Sequence, residues 1–185
     1  MIGQKPPILQ TPRLTLRAIS VAEGDAVAAI LTSPAVFETY MVPNPHDPEA
    51  VSRMVATFCR LSAVADRFVY GVFCDQRLVG LINEVDDGAG AMELGFAFHP
   101  DAWGKGYATE VLTAAMNALF SLGYATVKTG AFEENAASIR VMEKCGMTRL
   151  SETEEILYRG KSRRCILFET SAPQRNQHTE GECPL

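Results

Sequence analysis

The residues best suited to chemistry lie in the run Trp103-Gly104-Lys105-Gly106-Tyr107-Ala108-Thr109-Glu110, between an alternating apolar pattern and a helical one. Two glycines one residue apart free the backbone for a tight turn and for close approach by a ligand. The helix that follows offers unpaired N–H groups and the positive end of its dipole, which together suit a phosphate or pyrophosphate. Two simple phosphate-loop templates fail. The P-loop pattern G-x-x-x-x-G-K-[ST] is absent, and the dinucleotide fingerprint G-x-G-x-x-G meets Thr109 where its third glycine should stand. That second fold also needs repeated βα units, and this chain opens with antiparallel material. Alone, G-x-G fits a plain chain reversal as well as an anion site.

The strand before the loop adds to it. Met92, Leu94, Phe96 and Phe98 share one face, while Glu93, Gly95 and Ala97 share the other, because strand side chains alternate. That second face is small apart from one carboxylate. It could make room for a packed helix, with Glu93 in a salt bridge, or hold a thin ligand with a carboxylate at its reactive end. Further on, Asn135 and Ser138 stand one turn apart at the start of a helical pattern. Asn135 suits an N-cap, and a helix start can cap itself and still face a ligand.

Composition narrows the classes. At 185 residues with 47% hydrophobic and 21% charged side chains, the chain suits one soluble globular domain. A net charge of −5 gives nucleic-acid binding no electrostatic support. No apolar run approaches the ~20 residues of a membrane helix, and residues 1–10 lack a signal pattern. The five scattered cysteines contain no C-x-x-C pair and are odd in number, which suits a reducing, cytoplasmic compartment. The three histidines show no metal spacing, so no metal is expected.

The elements that must position these residues follow from periodicity. Arg13–Ile19 reads as a strand, Val21–Leu31 as a helix capped by Ser20, and Pro34–Pro48 as a proline-broken loop. Pro48–Leu61 is helical. Phe68–Phe73 and Leu78–Asn83 form a hairpin, and Ala91–Phe98 is a strand after turn signals at Asp86-Asp87-Gly88 and Gly90. Lys105–Leu122 carries a helical stripe ended by Gly123. Thr126–Phe132 is a strand and Asn135–Cys145 a helix. Met147–Tyr158 and Arg163–Thr170 form a last strand pair. The expected domain spans residues 1–170, followed by a polar, flexible tail at 171–185. The order gives an α+β fold around a mixed sheet with one clear crossover.

Three ordered motifs then carry a resemblance. They are Glu93-Leu94-Gly95-Phe96; Pro100-Asp101-Ala102-Trp103-Gly104-Lys105-Gly106-Tyr107-Ala108-Thr109-Glu110; and Asn135-x-x-Ser138-x-x-Val141-x-Glu143-Lys144-x-Gly146-Met147. Together they resemble the GNAT acetyltransferases, and more narrowly the ribosomal-protein N-acetyltransferase (RimJ/RimL-type) branch. The opening Gln10-Thr11-Pro12-Arg13-Leu14-Thr15-Leu16-Arg17 is also similar to that branch's first strand. The resemblance implies a mostly antiparallel sheet of about seven strands, flanked by helices and splayed to admit acetyl-CoA. The pantetheine would hydrogen-bond the backbone of Phe96, Ala97 and Phe98, and Asn135 would contact the same arm. The pyrophosphate would sit on the N–H groups of Trp103, Gly104, Lys105, Gly106, Tyr107, Ala108 and Thr109. One strand N–H would polarise the thioester carbonyl. Many members carry a tyrosine acid where this chain has Met142, so Ser138 becomes the candidate to meet the leaving thiolate.

The implied reaction is direct attack of a neutral primary amine on acetyl-CoA. An α-amine, with a reference pKa of about 7.7–8.0, deprotonates more readily than lysine at about 10.4. Glu93 is the candidate base, with Glu84 as runner-up. The acceptor, a protein N-terminus or a small-molecule amine, would meet the loop Ser33–Asp47 and the turn Arg159-Gly160-Lys161. Phe37, Tyr40 and Met41 could wall its site or only pin the loop to the core. Arg159, Lys161, Arg163 and Arg164 could attract an acidic acceptor or form a solvated hairpin. A non-catalytic acyl-CoA sensor is the alternative to the enzyme, and monomer and homodimer both stay open.

Overall fold

Eight strands form one sheet in the order β1-β2-β3-β4-β5-β6-β8-β7. They are β1 (Ile8–Gln10), β2 (Thr15–Arg17), β3 (Val69–Cys74), β4 (Arg77–Gly88), β5 (Ala91–Phe98), β6 (Thr126–Phe132), β7 (Thr148–Tyr158) and β8 (Lys161–Ser171). The coordinates are a computed structural model, described for residues 4–42, 44, 46–88 and 90–173. Among the described residues, five α-helices accompany the sheet: α1 (Gly24–Thr32), α2 (Pro34–Phe37), α3 (Pro48–Ser62), α4 (Tyr107–Leu122) and α5 (Ala136–Lys144).

Helices cover both faces. The larger core joins α4 through Val111, Leu112, Ala115 and Leu119, and α5 through Met142, to Leu16, Val72, Ile82, Met92, Leu94, Val127 and Ile166 of the sheet. The smaller core joins Val27, Ile30 and Leu31 of α1, Val36 of α2 and Phe58 of α3 to Val69, Phe73, Leu81 and Ala97 on the opposite face. Alternation on β5 thus sorts Met92 and Leu94 into one core and Ala97 into the other.

Local chemistry sets the helix ends. Asp47 caps α3 by accepting the Glu49 and Ala50 N–H groups, and Pro48 occupies the first turn, where its missing N–H costs nothing. Ser20 and Glu23 form a capping box over a 3-10 turn, Val21–Glu23, that leads into α1. The expected helix at Val21–Leu31 is therefore a 3-10 turn plus an α-helix. Gly123, at φ +102°, closes α4 in the left-handed conformation that glycine adopts freely.

Several expectations need correction. The sheet has eight strands rather than about seven, because the three residues of β1 are too few to show alternation. The first expected strand shrinks to Thr15–Arg17. α2 lies inside the expected loop, where Ser33 precedes Pro34 at a helix start. β4 runs through the turn signals at Asp86-Asp87-Gly88, and a bulge after Glu84 makes one residue extra. β8 starts at Lys161 and reaches Ser171, and the Ala172 N–H donates to the Ala125 carbonyl, so the ordered sheet passes the expected boundary at Thr170. Residues 174–185 of the expected tail, and Pro43 and Pro45 of the loop, lie outside the described residues. No described helix is long and apolar enough to cross a membrane.

One buried cation fastens the N-terminal segment. The Lys5 ammonium donates to the carbonyls of Ser62 and Val69, both at 2.7 Å, and sits 4.4 Å from the centre of the Tyr70 ring. Burial pushes its pKa down from 10.5 to about 8, against the opposing pull of the Glu84 carboxylate. Between those two values the unfolded chain binds more protons than the folded one, so stability should rise with pH across that window. Chemical denaturation of wild type and Lys5→Met from pH 7.5 to 10.5 should show wild type gaining on the variant as pH rises. Parallel curves would remove the buried ammonium from the account.

Candidate active site

The sheet opens in the middle. β5 and β6 are its one parallel pair, and their register holds only for Ala91↔Thr126, Met92↔Val127 and Glu93↔Lys128. Beyond Glu93 the strands part, while β6 keeps β8 on its other edge along its whole length. A parallel pair needs a long crossover, and here α4 supplies it.

Which backbone groups line the gap can be read from one bond. The His99 N–H donates to the Val79 carbonyl at 3.0 Å. Antiparallel pairs alternate, so Ala97 with Leu81 and Gly95 with Asn83 are also hydrogen-bonded pairs. The amide groups of Leu94, Phe96 and Phe98 therefore turn towards β6; the Glu93↔Lys128 register uses the Leu94 N–H on the Lys128 carbonyl, so the Leu94 carbonyl and the Phe96 and Phe98 groups are the ones that line the gap. Trp103, 49% exposed, donates its indole N–H to the Phe98 carbonyl at 2.8 Å. Phe96 and Phe98 can thus offer backbone groups to a ligand in the gap, whereas those of Ala97 are spent on β4.

The glycine loop leads into α4 beside this gap. Gly104 and Gly106 have φ of +73° and +78°, and Gly106 stands at the N-cap position. The first helical bond runs from the Glu110 N–H to the Gly106 carbonyl, so the Tyr107, Ala108 and Thr109 N–H groups have no partner within the helix. The loop is braced from behind. Glu110 accepts from the Thr11 hydroxyl at 2.5 Å and the Arg13 N–H at 2.9 Å, and pairs with the Arg13 guanidinium at 2.6 Å. Burial would raise the Glu110 pKa, but these donors outweigh it and hold the carboxyl below its usual range.

On the third element, Asn135 caps α5, its side-chain oxygen accepting the Ser138 N–H at 3.1 Å. Ser138 is half-buried one turn in. Met142 is fully buried in the larger core, so it serves packing.

The face bearing Glu93 carries two glycines, one on each side of the gap. Gly95 on β5 and Gly130 on β6 both lie on it, since Glu93 and Lys128 are registered partners and alternation carries the face two residues on. A Cβ on Gly95 would lie 3.2 Å from Val85 Cγ2 and 3.5 Å from both Asn83 Oδ1 and Tyr40 Cε2. A Cβ on Gly130 would collide with Cys165 Sγ at 2.9 Å. Burial, then the Glu154 and Glu93 carboxylates, push the Cys165 thiol up to about 11. The Tyr40 hydroxyl donates to Asn83 Oδ1 at 2.5 Å. Burial raises the Tyr40 pKa, so the phenol stays protonated.

Glu84, the runner-up base, lies elsewhere. It is registered with Leu94 on the opposite face, accepts the Phe68 N–H at 2.6 Å and pairs with Arg67, its side chain only 7% exposed. It is a structural carboxylate.

The expected acceptor elements meet. Arg163, 14% exposed, donates to the Glu38 carbonyl and to Glu134, both at 2.9 Å, and pairs with the Glu38 carboxylate at 3.2 Å. The Tyr158 hydroxyl donates to the Phe37 carbonyl at 2.7 Å, and Arg159 stacks 4.4 Å from the centre of the Phe37 ring. Phe37 and Tyr40 pack against the smaller core, while Met41 is exposed. Arg163 and Arg164 are committed to Glu38, Glu133, Glu134 and Glu155, so they offer little to an acidic acceptor. The sequence reading missed Asn83, Val85, Gly130 and Arg13. Gly130, inside an otherwise regular strand pattern, was a usable signal, whereas the Arg13–Glu110 pair spans 97 positions and had none. Among the described residues no cluster of His, Cys, Asp or Glu could hold a metal.

Comparison with known proteins matches residues 13–148 to the acetyltransferase (GNAT) domain. The chain belongs to the GNAT acetyltransferases. It is an acetyl-CoA-dependent N-acetyltransferase by family. The uncharacterized N-acetyltransferase YoaA of Bacillus subtilis (strain 168) is 27% identical over 157 residues, covering 82% of this chain and 89% of that one. A GNAT-family acetyltransferase from Bacillus anthracis superposes with a TM-score of 0.75 at 21% identity, covering 89% and 98% of the two chains. RimL, a ribosomal L7/L12 alpha-N-protein acetyltransferase solved with coenzyme A, superposes at 0.76 with 18% identity, covering 89% and 97%. These superpositions establish the fold.

A Cβ on Gly104 would meet nothing within 4 Å, so Gly104→Ala isolates the left-handed backbone. Holding alanine there costs roughly 1–2 kcal/mol. Denaturant titration should register that loss without CoA present. An unchanged midpoint would mean the loop does not hold φ near +73°.

Proposed function

We propose that this enzyme acetylates a primary amine, with the α-amine of a protein N-terminus as the favoured acceptor, and that acetyl-CoA lies in the gap between β5 and β6. The observation that carries the reading is the parting of those strands directly after Glu93, with strand amides of β5 along the gap and a glycine on each strand beside it. Bound there, acetyl-CoA supplies an activated acyl group on a thiol leaving group.

The residues divide the work. The N–H groups from Trp103 to Thr109, chiefly those of Tyr107, Ala108 and Thr109, hold the pyrophosphate at the α4 N-terminus. The Phe96 and Phe98 amides hold the pantetheine, Ala97 keeps the strand in register, and Asn135 borders the same arm. The Phe96 N–H polarises the carbonyl under attack. Glu93, at the root of the gap, takes the amine's proton directly or through water, the role to which a general base contributes about 10²–10⁴-fold. Ser138 donates to the departing thiolate, since Met142 has no proton to give. Val85 and Met41, exposed at 57% and 53%, with Tyr40 beside Gly95, border the acceptor's approach. The α-amine is favoured because more of it is neutral near pH 7 than of lysine. The printed name of RimL as an alpha-N-protein acetyltransferase fits that choice.

Coenzyme A release should be measured with acetyl-CoA across N-terminal peptides and small amines. Release with peptides and not with lysine-only acceptors is expected. Glu93→Gln should lose about 10²-fold or more in turnover at saturating acceptor while keeping CoA affinity within about threefold. Equal turnover would end the base role. Thermal stabilisation by CoA, about 2.7 kcal/mol at 100 Kd, without release from any amine would favour a sensor instead.

A further inference from the structure

We propose that Arg13 is a positioning residue for the coenzyme: it pins the Lys105–Gly106 peptide so that the Gly106 N–H faces the pyrophosphate. The inference rests on the reading of the glycine loop as the pyrophosphate grip. A trans peptide carries its C=O and N–H on opposite sides. Arg13 Nη1 donates to the Lys105 carbonyl at 2.8 Å, so that carbonyl is held on the arginine side and the N–H of the same peptide points the other way. Rotation of this peptide changes the ψ of Lys105 and the φ of Gly106, and glycine, here at φ +78°, places little steric limit on the second. Rotated, the unit would aim a carbonyl at the anion in place of a donor.

The guanidinium is itself immobilised. Glu110 takes Nε at 2.7 Å and Nη2 at 2.6 Å, the two-point geometry that arginine has and lysine lacks. The Tyr107 ring lies 4.9 Å below it. Glu110 also takes the Arg13 N–H at 2.9 Å and the Thr11 hydroxyl at 2.5 Å. One carboxylate in the first turn of α4 thus fixes the arginine, and the arginine fixes the loop. Because Glu110 balances its charge, Arg13 acts by orienting the peptide more than by its own field. Arg17 offers a contrast two strand turns on: it pairs with Glu23 at 2.6 Å, but its other donor goes to the neighbouring Ala18 carbonyl.

The test compares CoA with pantetheine, which lacks the pyrophosphate. Calorimetry gives the Kd for CoA, and displacement of CoA gives that for pantetheine. Arg13→Met should weaken CoA by at least about tenfold, the scale of one charge-assisted hydrogen bond, and leave pantetheine within about twofold. Arg17→Met should change neither. Glu110→Gln keeps the arginine and its shape but loosens the clamp, and should give a smaller, CoA-selective loss. It carries the test if Arg13→Met fails to fold. Equal weakening of both ligands, or no change in CoA binding, would overturn the proposal while leaving the pyrophosphate reading intact. A wild-type protein that binds CoA no better than pantetheine would overturn that reading and the proposal with it.

Discussion

Everything at the site depends on two neighbouring strands that stop pairing. β5 and β6 share three registered residues and then part after Glu93. A buried strand edge with unpaired amides is costly in most folds, because each unsatisfied group forfeits its hydrogen bonds to water. β8 pairs the far edge of β6 along its whole length and holds that strand in place, without covering the edge that faces the gap. Along β5, the Leu94 carbonyl and the Phe96 and Phe98 N–H groups stay available. A ligand with its own amides and carbonyls, such as a pantetheine arm, can complete that edge much as a strand would.

The parting needs support from both ends. At the donor end, Glu110 and Arg13 weld the N-terminal segment, the glycine loop and the first turn of α4 together. At the acceptor end, Arg163 joins α2 to the turn just before α5, and Tyr158 holds the Phe37 and Tyr40 carbonyls. Both arginines are half-buried or less exposed and serve two or more acceptors at fixed angles, which suits a planar guanidinium. The bulge after Glu84 adds Val85 beside Gly95, where a strictly regular strand would have no extra residue. The two faces of β4 and β5 consequently differ: Glu84 pairs with Arg67 on one, and Glu93 stands on the other, which carries Gly95.

Local signals made much of this legible before any coordinates. The span Ala91–Phe98, the strand Thr126–Phe132 and the helix ended by Gly123 all follow from periodicity and from glycine's tolerance of positive φ. The glycine loop and the Asn135 cap were legible for the same reason, since each is written within a few adjacent residues. What sequence alone could not show is long-range. Whether Ala97 or Phe96 turns its amide to the gap depends on pairing parity with β4, which the His99–Val79 bond settles. Glu84 and Glu93 look equivalent as strand carboxylates until register places them on opposite faces. β1, at three residues, is held by pairing with β2 and carries no pattern of its own.

The central claim is that alternate amides of β5 face the coenzyme, and amide hydrogen exchange resolved by residue tests it most directly. On adding CoA, the Phe96 and Phe98 N–H groups should slow markedly, while those of Gly95 and Ala97, bonded to β4, and of Leu94, bonded to β6, should change little. Equal slowing along the whole strand, or none at Phe96, would contradict the account.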